Sequence, residues 1–402
     1  MYSSRYILKS GALISSCLLI AACFHDDESK DVFIPAQHNA IIATQSGYDS
    51  GNHAIIKLSD YSVKSTNYAD GSDTTVSTFK ENVYRIGRYK MDNITKSNIY
   101  SPESIEWQFS TNDAVENIET SSNPYKIVFL SEEKAYIIRY GSDKIWVVNP
   151  SANNIVDFRL GTIDLSAYAD EDKSPEPSDA LVINSKLYVT MQRLDRASGY
   201  VPGNAYLAIF DTSDDSEIDT NMNPATPKGI ALSLKNPMNI KHLSTNNTLY
   251  VNSVGRFENN YASPARLAEY TGGIESINLA DYSINTLIDD GDETNHPYGL
   301  INNIAILNST RGYLIGYNGS GDTSLYSFNP TNGTVDATAL ISNKDLADIE
   351  IGPLGDLWVA NAGENGITLI DTVDNSIKNN LIGTVLTPIN IEFISLGDPT
   401  NP

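Results

Sequence analysis

The chain has 402 residues with a formal net charge of −23, and a charge this negative disfavours nucleic acid as a partner. Tyrosine (23) outnumbers phenylalanine (10), and Asn, Ser, Thr and Asp fill the gaps between apolar runs. This composition is typical of short strands joined by polar turns and excludes a mainly helical protein.

The first 22 residues form a predicted export signal. Arg5 and Lys9 supply positive charge, and the apolar run from Gly11 to Ile20 is too short to cross a membrane. The run ends at Ile20-Ala21-Ala22-Cys23, which resembles the bacterial lipobox. That resemblance implies cleavage before Cys23 and acylation of the cysteine, so we expect a lipoprotein, with an ordinary signal peptide as the alternative.

Residues 23–37 are predicted to be a lipidated cysteine and an acidic tether. Phe24 stands where lipoproteins kept at an inner membrane often have aspartate, so the resemblance implies an outer-membrane address, on the periplasmic or cell-surface side. His25-Asp26-Asp27-Glu28 resembles an acidic tag for surface display, although a solvated spacer explains the same residues. The predicted folded domain then covers residues 38–396, and residues 397–402 form a tail.

A short unit recurs through this domain. An aromatic residue between apolar residues or glycine opens a strand-like run, with weaker copies at Ala40-Ile41-Ile42 and Val83-Tyr84-Arg85. The five stronger copies are Ala135-Tyr136-Ile137, Leu187-Tyr188-Val189, Leu249-Tyr250-Val251, Gly312-Tyr313-Leu314 and Leu357-Trp358-Val359. Across all seven copies the central residues are 43 to 63 residues apart, which is too short for a domain and typical of propeller blades.

Each unit is predicted to contain four antiparallel strands. Asn303 to Leu307 is apolar nearly throughout and is assigned as an innermost strand, followed by Tyr313 to Tyr317 and Ser324 to Phe328. Proline stands just before each of several innermost strands, where its missing amide donor costs no ladder bond. These prolines are Pro124, Pro177, Pro237, Pro297 and Pro388.

The two ends of the domain are predicted to share one blade. Pro388 to Phe393 looks like an innermost strand with no unit after it, whereas the first unit, around Ala40 to Leu58, lacks such a strand. We therefore expect the C-terminal strand to close the ring, because closure removes exposed strand edges.

The last unit is similar to the YVTN repeat of bacterial and archaeal surface propellers. The similarity lies in Leu357 to Gly363, Ile367 to Thr372 and Asn375 to Ile377, with partial copies at Leu187 to Thr190 and Leu249 to Asn252. It implies an all-β, seven-bladed β-propeller of the YVTN (YncE-like) type, built from four-stranded antiparallel blades. The resemblance does not imply one function, because this architecture hosts adhesins, ligand-capture proteins, lactonases and quinoprotein-like enzymes.

One face of the predicted ring carries the longest loops. Turns after strands one and three are tight, whereas the loops after strand two are long at Met191 to Ala205 and Asn252 to Gly273. Functional residues concentrate on loops held by a rigid scaffold. The ligand-binding residues predicted on this face are Arg88, Tyr89, Tyr125, Arg139, Tyr140, Arg193, Tyr200, Arg256, His296, Tyr298, Tyr317 and Asn361.

Arginines and tyrosines on one face of an acidic chain predict a site for a small anionic or planar ligand. The two long loops also contain Arg196, Phe257, Tyr261, Arg266 and Tyr270. The alternative is structural: each arginine pairs with a neighbouring carboxylate, and each tyrosine packs within its own blade.

Metal and catalytic patterns are weak. The five histidines show no spacing that would place two of them on one metal, and no cysteine is available for zinc. Acidic runs at Asp170 to Asp172, Asp211 to Asp219 and Asp289 to Glu293 could hold calcium, but none completes a regular calcium loop, so solvated turns are favoured. We therefore predict no cofactor, no metal site and no catalytic residues.

The favoured function is that of a membrane-anchored, non-catalytic propeller that captures a ligand or an envelope protein at one face. Propeller lipoproteins that assist outer-membrane transporters are one precedent for such a role. The alternatives are a lactonase-like or quinoprotein-like enzyme, which would need a convergent acid or metal cluster, and an adhesion or scaffold propeller, which would have a flat face without a pocket.

Overall fold

The computed structural model describes residues 37–396, except 48–49, 66–70, 114–120, 197, 223–226 and 260–263. The predicted leader, Cys23, the tether up to residue 36, the tail and Tyr261 lie outside the described residues. Within them the secondary structure is thirty strands, one short helix, α1 (Ile155–Phe158), and the 3₁₀ turns Ser166–Tyr168 and Ala362–Glu364. None of the described helices is long and apolar enough to span a membrane.

The strands fall into two runs along the chain. The first run is β1 (Gln37–Ser46), β2 (Ser50–Lys57), β3 (Val63–Ser65), β4 (Thr74–Phe79), β5 (Asn82–Gly87), β6 (Asn93–Asn98), β7 (Ser101–Ser110), β8 (Pro124–Phe129), β9 (Ala135–Arg139), β10 (Lys144–Val148), β11 (Arg159–Asp164), β12 (Pro177–Ile183), β13 (Lys186–Met191), β14 (Leu194–Asp195) and β15 (Val201–Pro202). The second run is β16 (Tyr206–Asp211), β17 (Ile230–Ala231), β18 (Pro237–Leu243), β19 (Thr248–Ser253), β20 (Gly273–Asn278), β21 (Ile284–Asp289), β22 (Leu300–Asn308), β23 (Arg311–Gly319), β24 (Asp322–Phe328), β25 (Ile341–Lys344), β26 (Leu346–Ile351), β27 (Leu357–Asn361), β28 (Gly366–Ile370), β29 (Ile377–Gly383) and β30 (Thr387–Leu396).

Twenty-eight of these strands form seven four-stranded antiparallel blades, and β14 pairs with β15 in a separate two-stranded arm. From the innermost strand outward the blades are β30-β1-β2-β3, β4-β5-β6-β7, β8-β9-β10-β11, β12-β13-β16-β17, β18-β19-β20-β21, β22-β23-β24-β25 and β26-β27-β28-β29. Each innermost strand contacts the innermost strands of both neighbouring blades, so the blades surround one axis. The predicted seven-bladed β-propeller is therefore confirmed.

The C-terminal strand closes the ring, as predicted. β30 is the innermost strand of the first blade and pairs with β1 from Gln37 opposite Leu396 to Gln45 opposite Thr387. Ile391 and Ile394 of β30 are almost fully buried. Closure therefore joins the first and last parts of the chain in one sheet.

The repeated aromatic residue lies on the second strand of blades two to seven and is buried in each of them. In blades three and six its hydroxyl donates to a turn of the next blade. Tyr136 donates to Asp215 Oδ1 (2.7 Å), and Tyr313 donates to Asn375 Oδ1 (2.9 Å). Phenylalanine would fill the same space but would leave the turn without this bond.

A belt of polar side chains surrounds the axis. Six of the seven innermost strands have a register shift near their start, and the residue after the shift faces the channel. The axial belt consists of Thr75, Lys126, Asp179, Asn239, Asn303, Asp348 and Asn390, one from each blade.

Each member of the axial belt bonds to the next blade. Asp179 accepts from Lys126 Nζ (2.6 Å) and from the backbone N–H of Ile240 (3.0 Å). The remaining links are Asn239 to Asn303 (3.3 Å), Asn303 to Asp348 (2.7 Å), the Ile391 N–H to Asp348 (2.7 Å), the Val76 N–H to Asn390 (3.1 Å) and Thr75 to the Tyr125 carbonyl (3.3 Å). The belt thus satisfies polar groups that the shifted register leaves without ladder partners.

The ring has two distinct faces. We call the face where innermost strands begin and second strands end the mouth, and the opposite face the base. β30 runs from the mouth to the base, and β1 starts at the base opposite its end. Both ends of the described chain therefore leave from the base.

Candidate functional site

Three of the predicted site residues of blades two to four line one cavity at the mouth. We call this cavity the tyrosine pocket. It has a volume of about 530 Å³ and is lined by Tyr89, Ser121, Asn123, Tyr140, Gly141, Arg196 and Tyr200. Tyr89 and Tyr200 are 56% and 55% exposed, and both lie on this one cavity. Of the predicted residues, Tyr89, Tyr140 and Tyr200 line the pocket.

A stack of four side chains forms one wall of the tyrosine pocket. Tyr125 and Tyr140 lie parallel, with ring centroids 4.3 Å apart and 7° between the planes. The Arg88 guanidinium lies 3.8 Å from the Tyr125 ring centroid, and the Arg196 guanidinium lies 6.0 Å from the Tyr140 ring centroid. Burial raises the pKa of both tyrosines, so their hydroxyls stay protonated. Cation–π and ring stacking thus hold the wall in place.

The arginines of this stack are already paired. Arg88 Nε lies 3.4 Å from Asp73 Oδ1. Arg196 Nη2 lies 3.1 Å from Glu176 Oε1, and its Nε lies 3.9 Å from Asp172 Oδ2. Burial raises the pKa of Glu176 to about 7, against the opposing effect of Arg196. The predicted cationic character of the site is therefore largely neutralised.

Arg139 and Arg193 are not among the residues that line the tyrosine pocket. The side chain of Arg139 is fully buried, bonds to Asp113 (2.9 Å) and lies 4.7 Å from the Trp146 ring centroid. The structure therefore places the side chain of Arg139 inside its blade. Arg193 donates to the Asn204 carbonyl (3.0 Å) and holds the β14-β15 arm.

A second group of predicted residues lies on blades five and six. Arg256 pairs with Glu269 (2.6 Å), and Tyr317 donates to Glu258 (2.9 Å) while packing edge-on against Phe257. Burial first, and then the bond to Glu258, raises the pKa of Tyr317 to about 12. These contacts stabilise the conformation of the long loop after β19. The residues of this group therefore stabilise a loop more than they line a pocket.

The last three predicted residues also make local contacts. His296 stacks on Tyr270 with centroids 4.0 Å apart, and Tyr298 packs edge-on against Tyr326. Asn361 is buried and donates to Glu364 (2.9 Å). The two long loops are joined where Arg266 donates to the Gly199 carbonyl. The structure therefore brings some of the predicted ligand-binding residues together in one cavity, whereas the others make structural contacts.

Sequence reasoning missed the axial channel. A cavity of about 280 Å³ on the axis is lined by the axial belt and by a deeper layer of charged side chains. In that layer Lys241 pairs with Glu350, and Glu392 faces both. The channel lining could have been predicted from a sequence pattern, a polar residue two positions after several of the prolines. Examples are Pro177-Ser178-Asp179, Pro237-Met238-Asn239 and Pro388-Ile389-Asn390. Arg88 and Tyr125 line this cavity as well, so it adjoins the tyrosine pocket.

The described residues contain no group of three or more His, Cys, Asp or Glu side chains arranged to hold a metal ion. In particular, the carboxylates of the channel are spread over several blades and are bonded to lysines, asparagines and backbone N–H groups.

Comparison with known proteins shows the fold. The sequence matches no protein-family model and no curated protein. Among solved structures, a protein from Bacteroides fragilis named as a candidate 6-phosphogluconolactonase has a TM-score of 0.57 at 11% identity, over 89% of this chain and 98% of that chain. A Lactobacillus plantarum protein has a TM-score of 0.57 at 12% identity (89% and 100%), and apo AztD from Citrobacter koseri has 0.52 at 11% (90% and 98%). At this identity the likeness concerns architecture alone.

Ionisation of Glu392 is expected to weaken the fold. Burial raises the pKa of Glu392 to about 7, with Lys126 and Lys241 opposing and Glu350 and Asp348 adding to the rise. The folded state therefore holds the proton more tightly than the unfolded state, so stability falls as pH rises from about 4.5 to about 7. We expect Glu392→Gln to raise the free energy of unfolding by about 1–3 kcal/mol at pH 8 and to change it little at pH 4.5.

Urea unfolding at both pH values measures this effect. Glu133→Gln, on the exposed turn after β8, is the control and should change neither midpoint. An equal shift for Glu392→Gln at the two pH values would show that packing rather than charge is responsible.

Proposed function

We propose that this protein is an envelope lipoprotein, anchored through Cys23, whose propeller captures a small ligand at the mouth without chemically changing it. The export signal and the lipobox-like residues support the anchor and the outer-membrane address. The tyrosine pocket supports ligand capture. An envelope protein that delivers or receives the ligand belongs to the same proposal.

The observation that carries the proposal is the exposure of Tyr89 and Tyr200 on one cavity. Exposed aromatic side chains around a concave site offer apolar area that a ligand can cover, at roughly 25 cal/mol per Å². The pocket volume of about 530 Å³ lies within the range of about 300–1,000 Å³ that is usual for small-molecule sites. Tyr140 is fixed by its stack, so the site is largely formed before a ligand arrives.

The ion pairs of the mouth narrow the ligand class. An anion would have to compete with Asp73 for Arg88 and with Asp172 and Glu176 for Arg196. A planar ligand that stacks on tyrosine would break none of these pairs. The geometry therefore supports the planar half of the predicted ligand class better than the anionic half.

Native mass spectrometry of protein purified from its own envelope tests the proposal. We expect a bound small molecule that is lost in the double variant Tyr89→Ala/Tyr200→Ala, while the unfolding midpoint stays within error because both side chains are exposed. Tyr100→Ala is the matched control, since Tyr100 is 71% exposed at the base. The ligand should remain bound to this control.

Two results would contradict the proposal. One is a ligand that the double variant retains, which would place capture elsewhere. The other is turnover of a co-purified molecule by the wild-type protein, which would favour an enzyme. Intact mass of the purified protein tests the anchor separately, because acylation adds the mass of the acyl chains to a chain that starts at Cys23.

A further inference from the structure

Among the described residues, the lining of the tyrosine pocket contains one charged side chain, that of Arg196. This guanidinium is bound by Glu176 and Asp172 and also donates to Ser174 Oγ (3.0 Å). The described lining contains no carboxylate, so a cation would find no counter-ion in that part of the wall. An anion would gain Arg196 only by displacing partners that are already in place. The pocket is therefore matched to an uncharged ligand.

The rim of the pocket offers hydrogen bonds as well as aromatic faces. The hydroxyls of Tyr89 and Tyr200 lie on exposed side chains of the same cavity. Each hydroxyl can donate one hydrogen bond and accept others. A ligand without hydrogen-bonding groups would cover these hydroxyls without replacing the bonds that they make to water.

These two requirements identify the ligand class. The ligand must have a flat apolar face for the tyrosine rings and hydroxyl donors around its edge. A sugar ring has both, since its C–H groups form apolar faces and its hydroxyls project from the perimeter. A plain aromatic ring has the flat apolar face but lacks the hydroxyl donors around its edge. A phosphate or carboxylate has neither feature. Building on the proposed capture function, we infer that the tyrosine pocket binds an uncharged saccharide.

The position of Tyr200 supports this assignment. Tyr200 has a positive φ of 66°, a conformation that is rare for a bulky side chain, and its N–H donates to the Asp195 carbonyl (2.7 Å). The β14-β15 arm thereby holds the ring outward at the pocket edge instead of letting it pack inside. Backbone strain of this kind is commonly kept where a side chain must be presented to a ligand.

The test uses the full chain on a printed array of uncharged oligosaccharides, followed by titration calorimetry with the best soluble sugar. We expect binding that falls at least tenfold in Tyr89→Ala/Tyr200→Ala. Tyr100→Ala should bind like the wild-type protein. A parallel titration uses the matched uronic acid and amino sugar, which should bind more weakly than the neutral sugar.

Separate outcomes distinguish this inference from the proposed function. If no array sugar binds through Tyr89 and Tyr200 while native mass spectrometry still shows a ligand that depends on them, the saccharide assignment is overturned and capture stands. The same conclusion follows if the charged sugars bind more tightly than the neutral sugar. If neither the array nor native mass spectrometry shows a ligand that depends on these tyrosines, both proposals fail.

Discussion

Removal of β30 is expected to abolish the stable fold. A chain that stops after Leu386 loses the innermost strand of the first blade, and with it the pairing with β1 and the packing against β4 and β26. Burial of Ile391 and Ile394 contributes about 1.5–3 kcal/mol each, before the strand pairing is counted. A loss on this scale approaches the whole stability of a typical domain, about 5–15 kcal/mol. The open edge of β1 would also promote aggregation.

Size-exclusion chromatography and far-ultraviolet circular dichroism measure this effect. A chain that stops after Leu396 is the control and should match the full-length unfolding midpoint, because the propeller strands are intact. Addition of a synthetic peptide of residues 387–396 to the shorter chain should restore part of the monomeric fold. A soluble, cooperatively folded monomer without β30 would show that closure of the first blade is dispensable.

Asp348→Ala is expected to give the largest effect of any single substitution in the axial belt. Asp348 accepts from Asn303 Nδ2 (2.7 Å), from the Ile349 and Ile391 N–H groups (2.9 and 2.7 Å) and from Asn390 Nδ2 (3.3 Å). It therefore joins blade seven both to blade six and to the closing strand. Each buried donor left without an acceptor costs about 1–3 kcal/mol. Relief of the burial that raises the pKa of Asp348 to about 6 offsets part of this cost.

We therefore expect Asp348→Ala to lower the free energy of unfolding by about 2–4 kcal/mol at pH 7. Urea unfolding followed by tryptophan fluorescence measures the change. Asp345→Ala, an exposed site one residue before β26, is the control and should remain within about 0.5 kcal/mol of wild type. Equal destabilisation by the two variants would mean that the belt contributes nothing beyond ordinary packing.

The sequence was sufficient to predict the architecture because successive blades of a propeller repeat the same sequence pattern. The buried aromatic residue of the second strand appears in successive blades, and each copy reinforces the assignment of the others. Ring closure could be predicted as well, since Pro388 to Phe393 had the pattern of an innermost strand without a following blade. The face that carries the long loops could be predicted from strand order, because loops after second strands must all lie on one face of the ring.

The side-chain partners could not be predicted. Arg88 and Arg139 look alike in the sequence, since both come at the end of a second strand, yet Arg88 reaches the Tyr125 ring and Arg139 is buried against Trp146. Arg88 stands one position further along its blade pattern than Arg139. Successive side chains on a strand point to opposite faces, so this shift of one residue gives the two arginines different partners. The acceptors of Arg196, Asp172 and Glu176, lie twenty or more residues away in another loop. Pairing of this kind depends on loop conformation that no local pattern encodes.

Both ends of the described chain leave from the base, and Cys23 lies fourteen residues before Gln37, a stretch that reaches at most about 50 Å when fully extended. If the protein is anchored through acyl chains on Cys23, as proposed, the base would lie toward the bilayer and the tyrosines would face the surrounding medium. A ligand would then arrive from the aqueous side, and a transporter in the same membrane would have to reach around the rim of the disc to receive it.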